Sequence, residues 1–241
     1  MATSPSTQEA IILAGGLGTR LRGSIGDLPK PMAPIADRPF LAWQLEALAR
    51  RGIARVILSV GHRREAIEAH FGEGYQGLAI AYSRETEPLG TGGAIVAAMQ
   101  VVDGPAVFVL NGDTFIRAPL RAMESPGGEL SILVARVDDA SRFGTVVVAG
   151  DRIVGFREKQ AGGPGLVNSG VYWVTRETIA TTGDREQFSF ERDFLEPRVG
   201  KLEIRAVITD EPFIDIGIPE SLAAADKVIP ALAAGDVGPF G

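Results

Sequence analysis

A short apolar run that leads directly into a glycine-rich segment is the feature that most constrains the fold of this chain. The run Ala10-Ile11-Ile12 predicts a buried strand, and the segment from Leu13 to Leu21 reads LAGGLGTRL. In α/β proteins, glycines after a strand bring backbone N–H groups close to phosphate, because no Cβ blocks the approach. The pattern therefore predicts an α/β fold that binds a phosphate group after its first strand.

Arg20 strengthens this interpretation, because its guanidinium presents paired donors that match phosphate oxygens. Two commoner phosphate motifs do not fit. A Walker A loop ends in Gly-Lys-Ser/Thr, whereas this loop ends in Thr19-Arg20-Leu21. The dinucleotide fingerprint needs a third glycine where Leu21 stands. The predicted ligand is a nucleoside triphosphate, and the alternative is a glycine-rich turn that binds nothing.

Apolar strand patterns alternate with helical patterns through the first half of the chain. Strands are predicted near 9–14, 53–60, 78–83 and 106–111, and helices near 40–51, 63–71 and 91–101. This order predicts βαβ units and a mainly parallel sheet. In the second half, strands are predicted near 130–136, 144–149, 152–157 and 167–174, with a hairpin across Gly150-Asp151. Helices near 189–196 and 219–227 follow, and then an apolar, Ala-rich tail.

The chain shows no linker and no internal repeat, so we expect a single domain over 1–241 with its core at about 9–225. A net charge of −6 argues against nucleic acid as a partner. The absence of cysteine excludes disulfides and thiolate chemistry. Neither a signal peptide nor a membrane-spanning run is visible, so the expected location is cytoplasmic, away from the membrane. A homo-oligomer is compatible with the sequence.

Pro29-Lys30-Pro31 follows the glycine-rich loop. The two prolines fix the backbone around Lys30 and so limit where its ammonium can reach. Because this lysine lies ten residues after Arg20, we predict that it contacts the same phosphates. The alternative is a rigid loop with a solvated lysine.

Another glycine-rich segment, Glu87 to Ala94, lies between a predicted strand and a predicted helix. Gly90 allows a planar ring or sugar to lie against the backbone. Glu85 and Glu87 are candidate acceptors for the N–H groups of a base, and guanine offers two such donors together. Uracil offers one ring N–H, so guanine is only weakly favoured here. Thr91 has a simpler alternative role as the cap of the following helix.

Two aspartates follow apolar runs and are candidate ligands of a hard cation. Asp113 comes two residues after the predicted strand that ends near 111, and Asp215 lies between Ile214 and Ile216. Two carboxylates together with substrate phosphates match the way in which Mg²⁺ is usually held. The alternative for Asp113 is an Asx-turn. Gly144, Glu158-Lys159 and Asn168 lie at strand ends and indicate little when each is taken alone.

Taken together and in order, these segments resemble the sugar-phosphate nucleotidyltransferases. The resemblance runs from about Glu9 to Ala225. It is carried by LAGGLGTRL, PKP, EPLGTGGA, NGD, FGT, EK, NSGVY and DIGIPE. The segments from Leu28 to Ile35 and from Pro39 to Leu41 are most similar to the branch that makes GDP-D-glycero-α-D-manno-heptose. The resemblance implies a Rossmann-like nucleotidyltransferase fold, α/β in class, with a mixed, mainly parallel central sheet flanked by helices.

The resemblance also implies roles for individual residues. Arg20 would contact the leaving pyrophosphate, Lys30 the reacting phosphates and Lys159 the sugar phosphate. The implied nucleotide-binding residues are Leu13, Ala14, Gly15, Gly16, Gly18, Thr19, Glu85, Gly90, Thr91 and Asp113. The implied sugar-binding residues are Gly144, Glu158, Lys159 and Asn168, and the implied Mg²⁺ ligands are Asp113 and Asp215. Gly162 to Gly165 departs from the tighter segment that is common in the family.

The implied reaction joins GTP and a sugar 1-phosphate, D-glycero-α-D-manno-heptose 1-phosphate first, to give the GDP-sugar and pyrophosphate. Mannose-1-phosphate guanylyltransferases and N-acetylmuramate-1-phosphate uridylyltransferases are similar enough to remain alternatives. A non-catalytic sugar-nucleotide sensor with the same fold is a further alternative. It is disfavoured because a sensor is expected to lose a metal carboxylate or the loop arginine, and Arg20, Lys30, Asp113 and Asp215 are all present.

Overall fold

The computed structural model describes residues 7–16, 18, 21–125, 128–158 and 162–235. The strands are β1 (Glu9–Leu13), β2 (Pro34–Ile35), β3 (Arg38–Pro39), β4 (Arg55–Val60), β5 (Gly74–Tyr75), β6 (Leu78–Arg84), β7 (Ala106–Asn111), β8 (Thr114–Ile116), β9 (Leu130–Val137), β10 (Thr145–Ala149), β11 (Arg152–Arg157), β12 (Gly165–Thr175), β13 (Ile204–Thr209) and β14 (Phe213–Asp215). The α-helices are α1 (Arg22–Ile25), α2 (Phe40–Arg50), α3 (Arg64–Phe71), α4 (Gly90–Met99), α5 (Leu120–Met123), α6 (Arg176–Ala180) and α7 (Pro219–Ala234).

Within the described residues, ten strands form one mixed sheet in the order β10-β11-β13-β9-β12-β7-β1-β4-β6-β5. The strands of the first half, β7, β1, β4 and β6, pair in parallel. β12 joins the two halves, because it pairs antiparallel with both β7 and β9. The predicted class, a mixed sheet flanked by helices, is confirmed. The predicted hairpin is also present as the antiparallel pair β10–β11.

The central strands are buried on both faces, as expected for parallel strands covered by helices on each side. Alternate residues of β1 point to opposite faces: Ala10 and Ile12 pack with Leu41 of α2, and Ile11 packs with Ile95 of α4. This period-two division places one apolar core on each side of the sheet.

A third apolar cluster lies beside the sheet, where α7 packs against α1 and α2. Leu21, Phe40 and Phe115 are fully buried in it, together with Ile216. The two-stranded pair β8–β14 borders this cluster, with Asp215 opposite Thr114. The cluster therefore anchors the segment from β14 to α7, far along the chain, beside the loop that follows β7.

Two predictions near the end of the chain differ from the structure. The helix predicted near 189–196 is a π-helical turn, Phe190–Leu195, which a 3₁₀ turn, Glu196–Arg198, continues. The predicted Ala-rich tail is not a separate segment, because α7 continues through it to Ala234 with Pro230 inside. Alanine is the strongest helix former, and the buried Ile229 and Ala233 hold this extension against the third cluster.

In the part of the chain that the structure describes, no helix is long and apolar enough to cross a lipid bilayer.

Candidate active site

The loops that carry the sequence motifs meet at the carboxyl ends of β1, β4, β6 and β7. Ala14 N–H donates to the carbonyl of Ser59 (2.8 Å), and Gly112 N–H donates to the carbonyl of Leu13 (3.1 Å). The glycine-rich loop thus leaves β1 between the ends of its two parallel neighbours. A ligand site at this edge is the arrangement expected of an open α/β sheet.

A cavity of about 300 Å³ opens there. Its lining includes Leu13, Ala14, Gly15, Gly16, Lys30, Glu85, Gly90, Thr91 and Asp113. The structure therefore brings these predicted residues to one place. Gly18 lies nearby against Lys30, since a Cβ added there would come 3.2 Å from the lysine Cβ. Thr19, Arg20 and Lys159 lie outside the described residues.

Glu85 is fixed at the wall of the cavity by its neighbours. Its Oε1 accepts from Ser59 Oγ (3.1 Å), and its Oε2 accepts from Leu89 N–H (3.2 Å). A Cβ at Gly15 would overlap this carboxylate, so glycine is needed there for the close approach of Glu85. Glu87, the other candidate base acceptor, is exposed and is not part of the cavity lining.

Gly90 and Thr91 begin α4 and attach it to the second half of the chain. Gly90 has a φ of +69°, and a Cβ there would lie 2.6 Å from the carbonyl oxygen of Phe188. Thr91 Oγ1 accepts from Phe190 N–H (2.9 Å). Leu89, not Thr91, holds the cap position of α4. The capping alternative for Thr91 is therefore wrong, and its hydroxyl instead joins α4 to the π-helical turn.

Lys30 and Asp113 line one side of the cavity, and the segment that carries Asp215 lies beside them, although Asp215 itself is not part of the lining. Lys30 Nζ is 2.6 Å from Asp113 Oδ2, and only 13% of the lysine side chain is exposed. Pairing of β14 with β8 brings in Asp215, whose Oδ1 accepts from Gly217 N–H. Lys30 Nζ also lies 3.3 Å from the position of a Cβ built on Gly217. The ammonium thus lies beside both aspartate-bearing segments.

This pair of carboxylates fits the needs of Mg²⁺. The described residues contain no cluster of three or more histidine or acidic side chains that could enclose a metal ion. Mg²⁺ typically takes one or two carboxylates and completes its shell with water and substrate phosphates. Asp113 lines the cavity and is about one-third exposed; its Oδ2 contacts Lys30, and its Oδ1 accepts from Thr114 Oγ1 (3.3 Å).

The predicted sugar-binding residues gather at neighbouring strand ends. Thr145, which follows Gly144, pairs with Arg157, which precedes Glu158, and with Val167, which precedes Asn168. None of the three predicted residues lines the 300 Å³ cavity. The segment from Gly162 to Gly165, which differs from the tighter segment common in the family, lies nearby. Its Gly163 carbonyl accepts a hydrogen bond from Ala140 N–H (2.9 Å).

Asn168 belongs to a polar network in which both ends of its amide are engaged. Its Nδ2 donates to Tyr172 Oη and to Glu191 Oε1, both at 2.8 Å, and its Oδ1 accepts from Gly170 N–H (3.0 Å). A Cβ at Gly170 would overlap the side-chain amide of Asn111. This contact joins the Asn168–Gly170 loop to the loop that carries Asp113.

Glu191 is a candidate functional residue that the sequence analysis missed. Tyr172 Oη donates to its Oε1 (2.8 Å), and part of the Glu191 side chain still reaches solvent. Burial raises the pKa of the Glu191 carboxyl, and the charges of Glu196 and Asp113 act in the same direction. An acidic residue directly after the buried Phe190 was the available signal.

Comparison with known proteins agrees with this geometry. A family model described as nucleotidyl transferase matches residues 9–230. The chain belongs to the nucleotidyl transferase family. The resemblance inferred from the ordered motifs is thereby confirmed.

Two curated relatives are D-glycero-α-D-manno-heptose 1-phosphate guanylyltransferases. The one from Campylobacter jejuni is 45% identical, over 88% of this chain and 96% of its own length. The one from Aneurinibacillus thermoaerophilus is 43% identical, over 91% of this chain and 97% of its own length. Among solved structures, HddC from Yersinia pseudotuberculosis has a TM-score of 0.83 at 35% identity and covers 92% of this chain and 99% of its own. HddC has also been solved in complex with GMP-PN.

Proposed function

We propose that this nucleotidyl transferase converts GTP and D-glycero-α-D-manno-heptose 1-phosphate to GDP-heptose and pyrophosphate. The observation that carries the proposal is the contact of Lys30 with Asp113 in the lining of a glycine-rich cavity, with the segment that carries Asp215 beside the lysine ammonium. The choice of substrates rests on the two heptose 1-phosphate guanylyltransferases, which align over nearly their whole length. A cytoplasmic location fits these substrates.

In the proposed reaction, a phosphate oxygen of the sugar 1-phosphate attacks the α-phosphorus of GTP in line. A bond forms from that oxygen to the α-phosphorus as the bond to the β-phosphate breaks, and pyrophosphate leaves. The second pKa of a phosphate monoester is about 6, so the nucleophile is already ionised at neutral pH. No general base is needed. Both histidines, His62 and His70, are exposed, and neither lines the cavity.

Catalysis then depends on neutralising and aligning two anionic substrates. Asp113 and Asp215 would hold Mg²⁺, which when bound supplies positive charge to the reacting phosphates. The Lys30 ammonium adds positive charge at the same place, and its small exposure limits its movement. Arg20 is proposed for the leaving pyrophosphate and Lys159 for the sugar phosphate.

Glu85 is proposed as the acceptor for guanine, with Gly90 and Thr91 beside the base. A carboxylate offers about four lone-pair sites, and Glu85 uses two of them for Ser59 and Leu89. The remaining capacity matches the adjacent N1–H and amino donors of guanine. Gly144, Glu158 and Asn168 are proposed for the sugar hydroxyls. Since the Asn168 amide is already engaged, the neighbouring Glu191 carboxylate is an additional candidate acceptor.

The test is pyrophosphate release measured over a panel of nucleoside triphosphates and sugar 1-phosphates. We expect turnover with GTP, and direct competition should favour the heptose 1-phosphate over mannose 1-phosphate. Preference for mannose 1-phosphate would make that compound the assigned sugar substrate in place of the heptose 1-phosphate. Absence of pyrophosphate release with every pair would overturn the proposal.

Asp113→Asn provides the matching test of the residues. It should lower kcat by roughly a hundredfold or more, because an amide keeps the shape of the side chain without its charge. Asp210→Asn is the control, since Asp210 is exposed and pairs only at the surface with Arg136 (3.0 Å). Near-normal kcat for Asp113→Asn at saturating Mg²⁺ would remove Asp113 from the proposed metal site.

A further inference from the structure

Gln44 is a buried polar side chain that contacts both ends of the turn carrying Asp113. It lies on α2 with 3% of its surface exposed. Its Nε2 donates to the carbonyl oxygens of Asn111 (2.9 Å) and Thr114 (2.8 Å), which are the first and fourth residues of that turn. We propose that Gln44 is a positioning residue that fixes the Asp113 carboxylate for metal and phosphate binding. This inference rests on the proposed function.

The orientation of the Gln44 amide follows from its two partners. Reversing it would place Oε1 against two carbonyl oxygens, so the nitrogen must face the turn. Oε1 on the other side is buried and has no donor among the residues that the structure describes. A buried acceptor without a partner costs free energy that an apolar side chain of similar size would not. Core packing therefore does not favour glutamine here, and the contact with the turn accounts for it.

The strand pairing explains why the turn needs a donor from outside the sheet. Ile216 N–H donates to the Asp113 carbonyl (2.9 Å), and Thr114 lies opposite Asp215 in the antiparallel pair β8–β14. Hydrogen-bonded and non-hydrogen-bonded pairs alternate along an antiparallel ladder. The Thr114 carbonyl therefore points away from β14, and Gln44 supplies its donor.

Three elements thus hold this turn. The Leu13 carbonyl of β1 accepts from Gly112 N–H, and Ile216, directly after β14, donates its N–H to the Asp113 carbonyl. Gln44 of α2 donates to the carbonyls of Asn111 and Thr114, which flank these two residues. The first two contacts are made by backbone alone, and Gln44 contributes the side chain. A change at Gln44 should therefore loosen the turn while the sheet remains paired.

The first test compares Gln44→Met with Ser131→Ala in the full chain. Methionine keeps the length of the side chain and removes both donors. Ser131 Oγ is likewise buried and without a partner among the described residues, but it lies on β9, outside the turn. Hydrogen exchange of the Gly112 and Ile216 amides, measured without substrates, should accelerate in Gln44→Met and remain unchanged in Ser131→Ala.

Turnover provides the second readout. In Gln44→Met, the Mg²⁺ concentration for half-maximal rate should rise roughly ten- to hundredfold, the usual effect of removing a group that orients a metal ligand. The KM for the sugar phosphate should change less than about twofold, because Gln44 bonds to Asn111 and Thr114 and not to the proposed sugar-binding side chains. A purely structural defect would instead lower the melting temperature and the amount of active protein without raising the Mg²⁺ requirement.

Gln44→Glu is a second variant whose hydrogen bonding to the turn changes with pH. It tests the proposal even if Gln44→Met does not fold. A carboxyl group held against two carbonyl oxygens donates one hydrogen bond when protonated and none when ionised. The ratio of its rate to that of the wild-type protein should therefore rise as the pH falls. For Gln44→Met, the same ratio should be flat.

Unchanged amide exchange and unchanged Mg²⁺ dependence in folded Gln44→Met would overturn the proposal. If that variant does not fold, a pH-independent ratio for Gln44→Glu would overturn it. Should the wild-type protein show no turnover, the proposed function fails separately. In that case, hydrogen exchange of the Gly112 and Ile216 amides is the measurement that decides whether Gln44 holds the turn.

Discussion

At the scale of single residues, Glu85 shows that one carboxylate has both a structural and a proposed recognition role. Ser59 and Leu89 hold its two oxygens in place, and Gly15 leaves room for it. A fixed acceptor discriminates between bases more strongly than a mobile one, because it cannot move away from an unsuitable base. By residue type the sequence offered both Glu85 and Glu87, and the family resemblance implied Glu85; the structure agrees, because Glu85 lines the cavity and Glu87 is exposed.

Glu85→Gln should therefore reduce the selectivity for GTP over UTP. Leaving a buried group unpaired costs about 1–3 kcal/mol, so the ratio of the two kcat/KM values should fall by roughly ten- to a few hundredfold. Glu87→Gln is the matched control, since Glu87 is exposed, and should leave the ratio within about twofold. Equal effects of the two substitutions would argue against Glu85 as the base acceptor.

Glu191 gives a prediction about stability and pH. Burial raises the pKa of its carboxyl in the folded protein. An acid with a raised folded pKa stabilises the protein below its unfolded pKa, and this contribution is lost as the pH rises through the folded value. Glu191→Gln removes the titration, so the variant should gain stability relative to the wild-type protein as the pH rises above the ordinary pKa of a glutamate carboxyl. Urea unfolding at several pH values measures this, and a constant difference would contradict the prediction.

At the scale of elements, the junction between α4 and the segment before the π-helical turn depends on glycine. Gly90 has a positive φ and packs directly on the Phe188 carbonyl. Gly183 has nearly the same φ, +67°, but a Cβ there would meet nothing within 4 Å. The two positions therefore separate the cost of backbone strain from the cost of close packing.

Gly183→Ala should lose about 1–2 kcal/mol of unfolding free energy, the cost of a left-handed conformation. Gly90→Ala should lose roughly 2–5 kcal/mol, because overpacking against Phe188 adds to the same strain. Chemical denaturation monitored by circular dichroism measures both values. Equal losses would show that the contact with Phe188 relaxes without cost.

Long, periodic elements were predictable from the sequence, and short ones that depend on distant partners were not. β1, β4, β6 and β7 are apolar runs, and their positions were predicted closely. β8 and β14 are three residues each and pair across about a hundred residues of chain, so neither has a local signal. The motifs located Lys30, Asp113 and Asp215, but their proximity follows from this pairing. Gln44 was missed because a single polar residue in an amphipathic helix is usually solvated.

At the scale of the whole molecule, β12 connects a half that carries the proposed nucleotide residues to a half that carries the proposed sugar residues. It pairs with β7 over residues 171–175 and with β9 on both sides of an irregularity between Asn168 and Tyr172. The contacts of Gly170 with Asn111 and of Thr91 with Phe190 cross the same boundary. Binding of nucleotide should therefore stabilise both halves together.

GTP with Mg²⁺ at 100 times its Kd should stabilise the folded protein by about 2.7 kcal/mol. For a protein of this size, that corresponds to a rise in Tm of roughly 5–10 °C. The rise should shrink when Mg²⁺ is omitted and in Asp215→Asn, which loses a proposed metal ligand. Differential scanning calorimetry measures it without turnover. An equal rise in Asp215→Asn would argue against metal binding at Asp215.

The pairing of β14 with β8 has a consequence for synthesis of the protein. A nascent chain that has emerged only as far as β13 contains the glycine-rich loop, Lys30 and Asp113, but not Asp215. Such a chain, or a proteolytic fragment of the same extent, lacks one of the two carboxylates and should be inactive even where its parallel strands have formed. Enzymatic activity would then report that translation has passed β14 and that this late segment has paired with β8.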